Sequence, residues 1–391
     1  MVTVDSWSSP TTVVAAPGAL QRVARSWRQP ALIITDAKVW EASDFGARLV
    51  ATSGRGASVL ARSPDECDLD FLIRVSGALA DRPEATVVAF GGGSVLDPAK
   101  VAVCVTTRSA AAGPVPTSLL EELLSTPGLK ACPAPPTDGV DLVAIPTTLG
   151  TGSEVSPIAV LRRTETTVMV AGPSLRPRVA VLDPEATASL PGTQLAAGLV
   201  EPLSRSLVPA IAGDRLALGD ALAGCLARLA LDLMGQPADE QWRLTAALLS
   251  TQTHTGFLAL GRSPVGHVLW PIVTEAMTLL RLDKPAALAA LLPAWLTGVA
   301  EGWLPRNFGS PQRLAEVLGP DHSTFLRHLG EALSPYRPTL LPDTATEPTS
   351  AELAGLVSQR VAQRWPMFLP STAAPAVAEL TLRAFVDAPS C

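Results

Sequence analysis

No stretch of this 391-residue chain runs for about 18 apolar residues without interruption, so nothing in it reads as a membrane span. The opening Met1-Val2-Thr3-Val4-Asp5-Ser6-Trp7 has neither a basic segment nor an apolar one, and no secretory signal is expected. The five cysteines, Cys67, Cys104, Cys132, Cys225 and Cys391, are odd in number, widely spaced, and form no CxxC pair. That argues against a disulfide framework or a thiolate zinc site and fits a reducing cytoplasm. Lysines are few, no dense basic tract occurs, and the net charge is −6, which argues against nucleic acid as a partner. Histidine is scarce too, with four in the whole chain.

What the chain does have is 47% hydrophobic residues and enough length for two domains, each with its own core. In the first half short apolar runs, at 31–36, 57–60, 86–90 and 142–145, read as strands alternating with helical stretches. Such alternation predicts a parallel sheet covered by helices. An irregular excursion over 113–136 interrupts it, around one short helix at 118–124. From about Gln194 the pattern turns helical, in the Ala/Leu-rich stretches 216–233, 242–261 and 285–302. A proline-rich stretch, 334–348, breaks the helices before a last helical segment. The expected organisation is an α/β domain over residues 1–191 and an all-helical domain over 192–391.

The most informative segment is Phe90-Gly91-Gly92-Gly93-Ser94-Val95-Leu96-Asp97-Pro98-Ala99-Lys100. A buried-type strand runs into three glycines, which lack Cβ atoms and let an anion approach backbone N–H groups closely. Asp97-Pro98 is expected to open the following helix, with proline in its first turn. Strand, glycine turn and helix N-terminus make a phosphate-binding corner, although strand-to-helix turns also use glycine for geometry alone. A second apolar strand leads into Pro146-Thr147-Thr148-Leu149-Gly150-Thr151-Gly152-Ser153-Glu154, where hydroxyls alternate with glycines as they would around a polar ligand.

Together, GGGSxxDxAK and PTTxGTGSE resemble the paired signatures of the iron-containing alcohol dehydrogenases, relatives of glycerol dehydrogenase and dehydroquinate synthase. Val181-Leu182-Asp183-Pro184 and Leu190-Pro191 match a further stretch of that superfamily. The resemblance implies an α/β nucleotide-binding domain with a parallel sheet, then an all-α domain. It places the cofactor along the first, and metal and substrate in the cleft between the two. Cofactor contacts then fall on Gly91, Gly92, Gly93, Ser94, Asp97, Thr147, Thr148, Thr151 and Ser153. Asp36, ending the first central strand, stands where a carboxylate accepts hydrogen bonds from an adenosine ribose and repels a 2′-phosphate, favouring NAD over NADP. Strand-end turns also favour aspartate for their own geometry. The resemblance further implies a homo-oligomer.

The metal pattern is where the resemblance fails. Metal-dependent members hold iron or zinc with a carboxylate and two or three histidines. The carboxylate position falls on Glu201, within Gly198-Leu199-Val200-Glu201, and one histidine position on His267. Four residues after Glu201, on the same helical face, Arg205 replaces a histidine. Pro271, or Trp270 with a different gap, replaces a second, and Lys284 occupies the last ligand position. Arginine does not ligate metals, and lysine does so only after a large pKa drop. Two ligands beside two cations suit Zn²⁺ or Fe²⁺ poorly, so no stoichiometric metal is expected. His254 reads as a packing residue of its helix that could face the same cleft, and His322 and His328 as surface residues. A lysine that the family places near Val168-Met169 is replaced by an apolar residue.

A fixed cation can supply part of what a metal does. The first expectation is therefore an NAD-dependent oxidoreductase of an alcohol or carbonyl group. Lys284 or Arg205 would stabilise a developing alkoxide, Glu201 would pair with one of them, and His267 would relay the proton. Two cations suit an anionic substrate, such as a β-hydroxy acid, free or on a peptide or secondary-metabolite intermediate, whose oxidation product loses CO₂. The same charges also read as a salt-bridge network filling a vacated metal site. A second expectation is a lyase or cyclase like dehydroquinate synthase, regenerating NAD within each turnover. Gly198–Glu201 favours it, whereas Ser204 stands where that branch has a lysine. A third is a non-catalytic nucleotide-binding subunit that works with a pathway partner.

Overall fold

The computed structural model describes residues 9–27, 30–54, 56–83, 85–109, 115–132, 140–163, 166–338 and 350–385. The opening seven residues, Cys391, and those parts of the expected excursion and proline-rich stretch that fall at 113–114, 133–136 and 339–348 lie outside them.

Nine strands are described: β1 Thr12–Ala15, β2 Ala31–Asp36, β3 Ser58–Arg62, β4 Thr86–Gly91, β5 Gly128–Ala131, β6 Val140–Pro146, β7 Ile158–Arg163, β8 Thr166–Ala171 and β9 Pro177–Leu182. Six form one parallel sheet in the order β1-β9-β6-β4-β2-β3. The alternation of side chains across it accounts for its near-continuous apolar strands. Leu32, Ile34, Val87, Ala89, Leu142 and Ala144 enter a core on one face. Their neighbours Ile33, Val88, Phe90, Val143 and Ile145 enter a second core on the other. The remaining strands make a small sheet, β5-β8-β7, in which β8 runs parallel to β5 and antiparallel to β7. Val168 and Met169, where the family places a lysine, are buried there.

The chain forms two compact units. One comprises the sheets with their helices up to Leu195 and takes in residues 237–255; the other comprises 196–236 and 256 onward. The helix Glu240–His254 thus belongs with the sheets, and it ends at His254 where the sequence pattern extends to Gly261. Gly256, at φ 90°, turns the chain out of helical geometry just beyond it. The second unit is helical, with Val200–Ala212, Ala217–Met234, Leu269–Leu280 and Lys284–Glu301 as its long elements near the residues of interest. Among the described residues one stretch, Gly192–Ala212, is long and apolar enough to cross a membrane, and most of it is buried inside the protein.

One local expectation is corrected. The helix after the glycine turn begins at Gly93, not at Asp97-Pro98, and runs to Ser109 with Pro98 inside it. Gly92 is its cap: the Gly92 carbonyl accepts from the amides of Val95 and Leu96, at 3.0 and 2.9 Å. A proline at the sixth helical position has no N–H for the carbonyl four residues back, which is that of Ser94. Arg62 fills the gap, donating from Nη1 to the Ser94 oxygen at 2.6 Å.

Candidate functional site

The α/β unit builds a nucleotide-type corner from its strand order. β3 and β4 lie on opposite sides of β2, so the order in which strands are added reverses between β2 and β4, whose carboxyl ends flank the switch point. Ligands of open α/β sheets bind outside such a switch point. Asp36 ends β2 and Gly91 ends β4, the two residues the sequence marks.

The glycines are required by close approach rather than by unusual dihedrals. A Cβ on Gly91 would lie 2.6 Å from Cβ of Val95, and one on Gly92 would lie 3.0 Å from both Cγ2 and Oγ1 of Thr148. A Cβ on Gly93 would meet Thr151 at 3.2 Å. The turn and the Thr147–Ser153 loop are therefore packed together, tied by the Thr147 amide to the Gly91 carbonyl at 3.1 Å. Ser94, beside them, is exposed. The amides of Gly93 and Ser94 stand in the first turn, where no intrahelical acceptor exists. Thr147 is buried, and its hydroxyl has no hydrogen-bond partner among the described residues. An open helix N-terminus with an unpaired hydroxyl beside it fits a dinucleotide pyrophosphate.

Asp97 and Ser153 belong to a different arrangement. The Asp97 carboxylate accepts from the Ser153 hydroxyl and, through Oδ2, from the Val160 amide of β7 at 2.9 Å. Lys100, fully buried, donates to the Ile158 carbonyl, to Ser153 Oγ at 3.1 Å and to Asp97 Oδ1 at 3.4 Å. Burial pulls the Lys100 ammonium below its ordinary range, against the opposing pull of Asp97. Sequence reasoning takes Lys100 only as the end of a motif. Its spacing, three residues after Asp97, is the available signal that the two share a helical face. Asp36 caps the next helix, its Oδ1 accepting from Lys38 and Val39 at 2.9 and 3.3 Å, while Oδ2 takes no part in that cap. His254 lies against Gly152, where a Cβ would be 2.1 Å from the imidazole Cδ2, so a packing partner for it is found inside the α/β unit.

The helical unit gathers the other predicted residues. Glu201 and Arg205 sit one turn apart on Val200–Ala212, both buried, with Arg205 Nη1 3.3 Å from Glu201 Oε2. Lys284 opens Lys284–Glu301, behind the Asp283 cap, and its Nζ stands 2.6 Å from Glu201 Oε1, off the direction of a hydrogen bond. The same ammonium lies 4.8 Å from the Trp270 ring centroid, a cation–π contact. His267 Nε2 is 3.1 Å from the Ser204 hydroxyl, Nδ1 is buried without a partner among the described residues, and the ring meets Trp270 edge-on. Burial, reinforced by the charges of Arg205 and Lys284, pushes the His267 imidazole down to about 3. Ser204 is the contact that sequence reasoning misses; it lies three residues from Glu201 on the same helix face. His322 and His328 stand elsewhere, His322 half-buried against the Gly319 carbonyl and His328 exposed.

These residues do not fit a divalent metal. The one carboxylate is held between two cations, and the one imidazole is bonded to a hydroxyl. Among the described residues no group of three or more His, Cys, Asp or Glu converges. A divalent ion there would sit against an arginine that cannot lose its proton.

The family pattern of the iron-containing alcohol dehydrogenases matches residues 10–184. Phosphonoacetaldehyde reductase of Streptomyces viridochromogenes is 38% identical over 118 residues, 30% of this chain and 28% of that protein. The chain's matches span less than half the length of each curated relative. NADH-dependent butanol dehydrogenase A of Thermotoga maritima superimposes with a TM-score of 0.75 at 18% identity, over 98% of this chain and all of that one. Sulfoacetaldehyde reductase of Bifidobacterium kashiwanohense, solved with NAD⁺, does so with a TM-score of 0.72 at 18% identity, covering 97% and 99%. Residues 10–184 thus match the family pattern of the iron-containing alcohol dehydrogenases, and the whole chain has the fold of solved alcohol dehydrogenases.

Proposed function

We propose that this protein is an NAD-dependent oxidoreductase interconverting an alcohol and its carbonyl compound. Its substrate carries an anionic group, and cationic side chains do the work that a metal does in its relatives. The observation that carries this reading is the cluster of the helical unit: one buried carboxylate, two cations, and an imidazole kept neutral by burial. The cluster bears one positive charge more than Glu201 neutralises, suited to a carboxylate, sulfonate or phosphonate. Phosphonoacetaldehyde reductase and sulfoacetaldehyde reductase both bear the names of aldehydes with such a group.

NAD, when bound, supplies or accepts the hydride. Lys284, less buried than Glu201 and steered by it, holds the charge that develops on the reacting oxygen. Arg205, fixed by the same carboxylate, clamps the anionic group. His267 exchanges the proton through Nδ1, because Nε2 is engaged by Ser204. Selection of NAD over NADP rests on Asp36 and on its register neighbour in β3, Arg62. That guanidinium is committed to Ser94, Glu66 and Asp68, which disfavours its pairing with a 2′-phosphate.

The test is NADH consumption with sulfoacetaldehyde, phosphonoacetaldehyde and malonic semialdehyde against butanal. Preference for the anionic aldehydes, lost in Arg205→Met, is expected. Equal turnover of butanal, unchanged by that substitution, contradicts the anionic reading.

A further inference from the structure

We infer that Arg62 is a positioning residue for the nucleotide, acting through the carbonyl that Pro98 leaves unpaired. This rests on the reading that a dinucleotide binds at the Gly91–Ser94 turn. Two sequence features that look unrelated meet at one atom. Pro98 withholds an N–H from the Ser94 carbonyl, one turn inside the helix whose start would hold the pyrophosphate. Arg62, the last residue of β3, donates to that carbonyl from Nη1 at 2.6 Å.

Its other nitrogen is anchored at both ends of the neighbouring turn. Nη2 donates to the Glu66 carbonyl at 2.7 Å and pairs with Asp68 Oδ1 at 2.6 Å, while the guanidinium lies over the Phe71 ring. Asp68 is itself fixed, its second oxygen accepting from the Arg162 amide of β7. Arg62 also pairs in register with Asp36, the ribose candidate. One side chain therefore links the strand beside Asp36, the Asp68–Ala80 helix and the first turn of the Gly93–Ser109 helix. An ordinary helix would close the Ser94 carbonyl with its own amide. Here the closure is delegated to a residue on the strand next to the ribose position. The angle of the N-terminal turn is thereby set by the sheet edge that receives the cofactor.

A four-way comparison in the full chain tests this: wild type, Arg62→Gln, Pro98→Ala, and both together. NADH affinity is read by fluorescence titration, and amide hydrogen exchange over residues 93–97 is read without nucleotide. Arg62→Gln should weaken NADH by about tenfold or more, as expected for loss of a bond to a charged donor, and speed exchange in that turn. Pro98→Ala alone should bind near normally. In the double variant the backbone amide that Pro98→Ala restores bonds the Ser94 carbonyl, and affinity should recover by several-fold. If Arg62→Gln does not fold, Arg62→Lys, which keeps the charge without the two-nitrogen fork, takes its place. Losses that simply add, with no rescue, overturn the inference and assign Arg62 to the Asp68 and Glu66 contacts. Wild-type protein that does not bind NADH overturns the nucleotide reading itself, and the exchange arm shows separately whether the clamp exists.

Discussion

The glycine corner and the charged cluster carry chemistry in opposite ways. The corner is made of backbone: amides at a helix start, approached because Gly91, Gly92 and Gly93 have no Cβ. The cluster is made of side chains: Glu201, Arg205, Lys284, His267 and Ser204, on three separate segments. The family pattern covers residues 10–184 and so includes the first site and stops short of the second. A backbone site tolerates few changes because a single methyl collides with packed atoms. A side-chain site can be rewritten residue by residue while helices and packing stay as they are.

The comparison can be pressed hardest at Glu201. Replacing it by alanine removes the carboxylate that Arg205 and Lys284 share, Arg205 being buried, and should cost about 3 kcal/mol. Urea unfolding measures this. A loss below about 1 kcal/mol, the size of a surface ion pair, would mean that solvent screens the cluster. At the corner, Gly91→Ala sets a methyl 2.6 Å from Val95 Cβ. It should cost about 1–3 kcal/mol as an overpacking change and remove detectable NAD⁺ binding in a calorimetric titration. Retained binding would place the nucleotide elsewhere.

The imidazole offers a pH test confined to the cluster. His267 stands at about 3 in the folded protein, chiefly through burial, against the ordinary 6.5. Below 6.5 the unfolded chain takes up this proton and the folded chain does not. Stability is therefore full above pH 6.5 and is lost as pH falls from there toward 3. At about 1.4 kcal/mol per pH unit, roughly 2 kcal/mol should be gone by pH 5. His267→Gln should flatten that slope; an unchanged slope would assign it to other groups. The smallest effect should come from Ser94→Ala. That side chain is exposed, and its loss should change NAD⁺ affinity by about twofold or less if backbone alone holds the phosphates.

Much of this is legible in the chain. The strands 31–36, 86–90 and 142–145 announce themselves as runs apolar on both faces, and the structure shows two cores receiving alternate residues. The pairing of Gly92 with Thr148, and Gly93 with Thr151, explains why the two glycine- and threonine-rich segments belong to one signature. The start of the Gly93 helix is misread because Pro98 satisfies the rule for a first turn; the carbonyl it frees is claimed from another strand, which local pattern does not reveal. The small sheet is missed because β5 is short and lies within the irregular stretch, and because β7 and β8, although as long as β2, carry polar residues at Arg162, Arg163, Thr166 and Thr167 that blunt an apolar run. Glu201, Arg205, His267 and Lys284 are named from the resemblance, and the structure brings them together. Ser204 as a partner of His267 needs the helix face and the following turn in three dimensions.

The measurement that tests the central claim most directly is the aldehyde assay on one batch of chelator-treated protein. NADH turnover is followed with an anionic aldehyde, before and after addition of Zn²⁺ or Fe²⁺, with bound metal quantified in both. Full activity without metal, no gain on addition, and strong loss in Lys284→Met are expected. Activity that appears only with added metal, at one ion per chain, would contradict it.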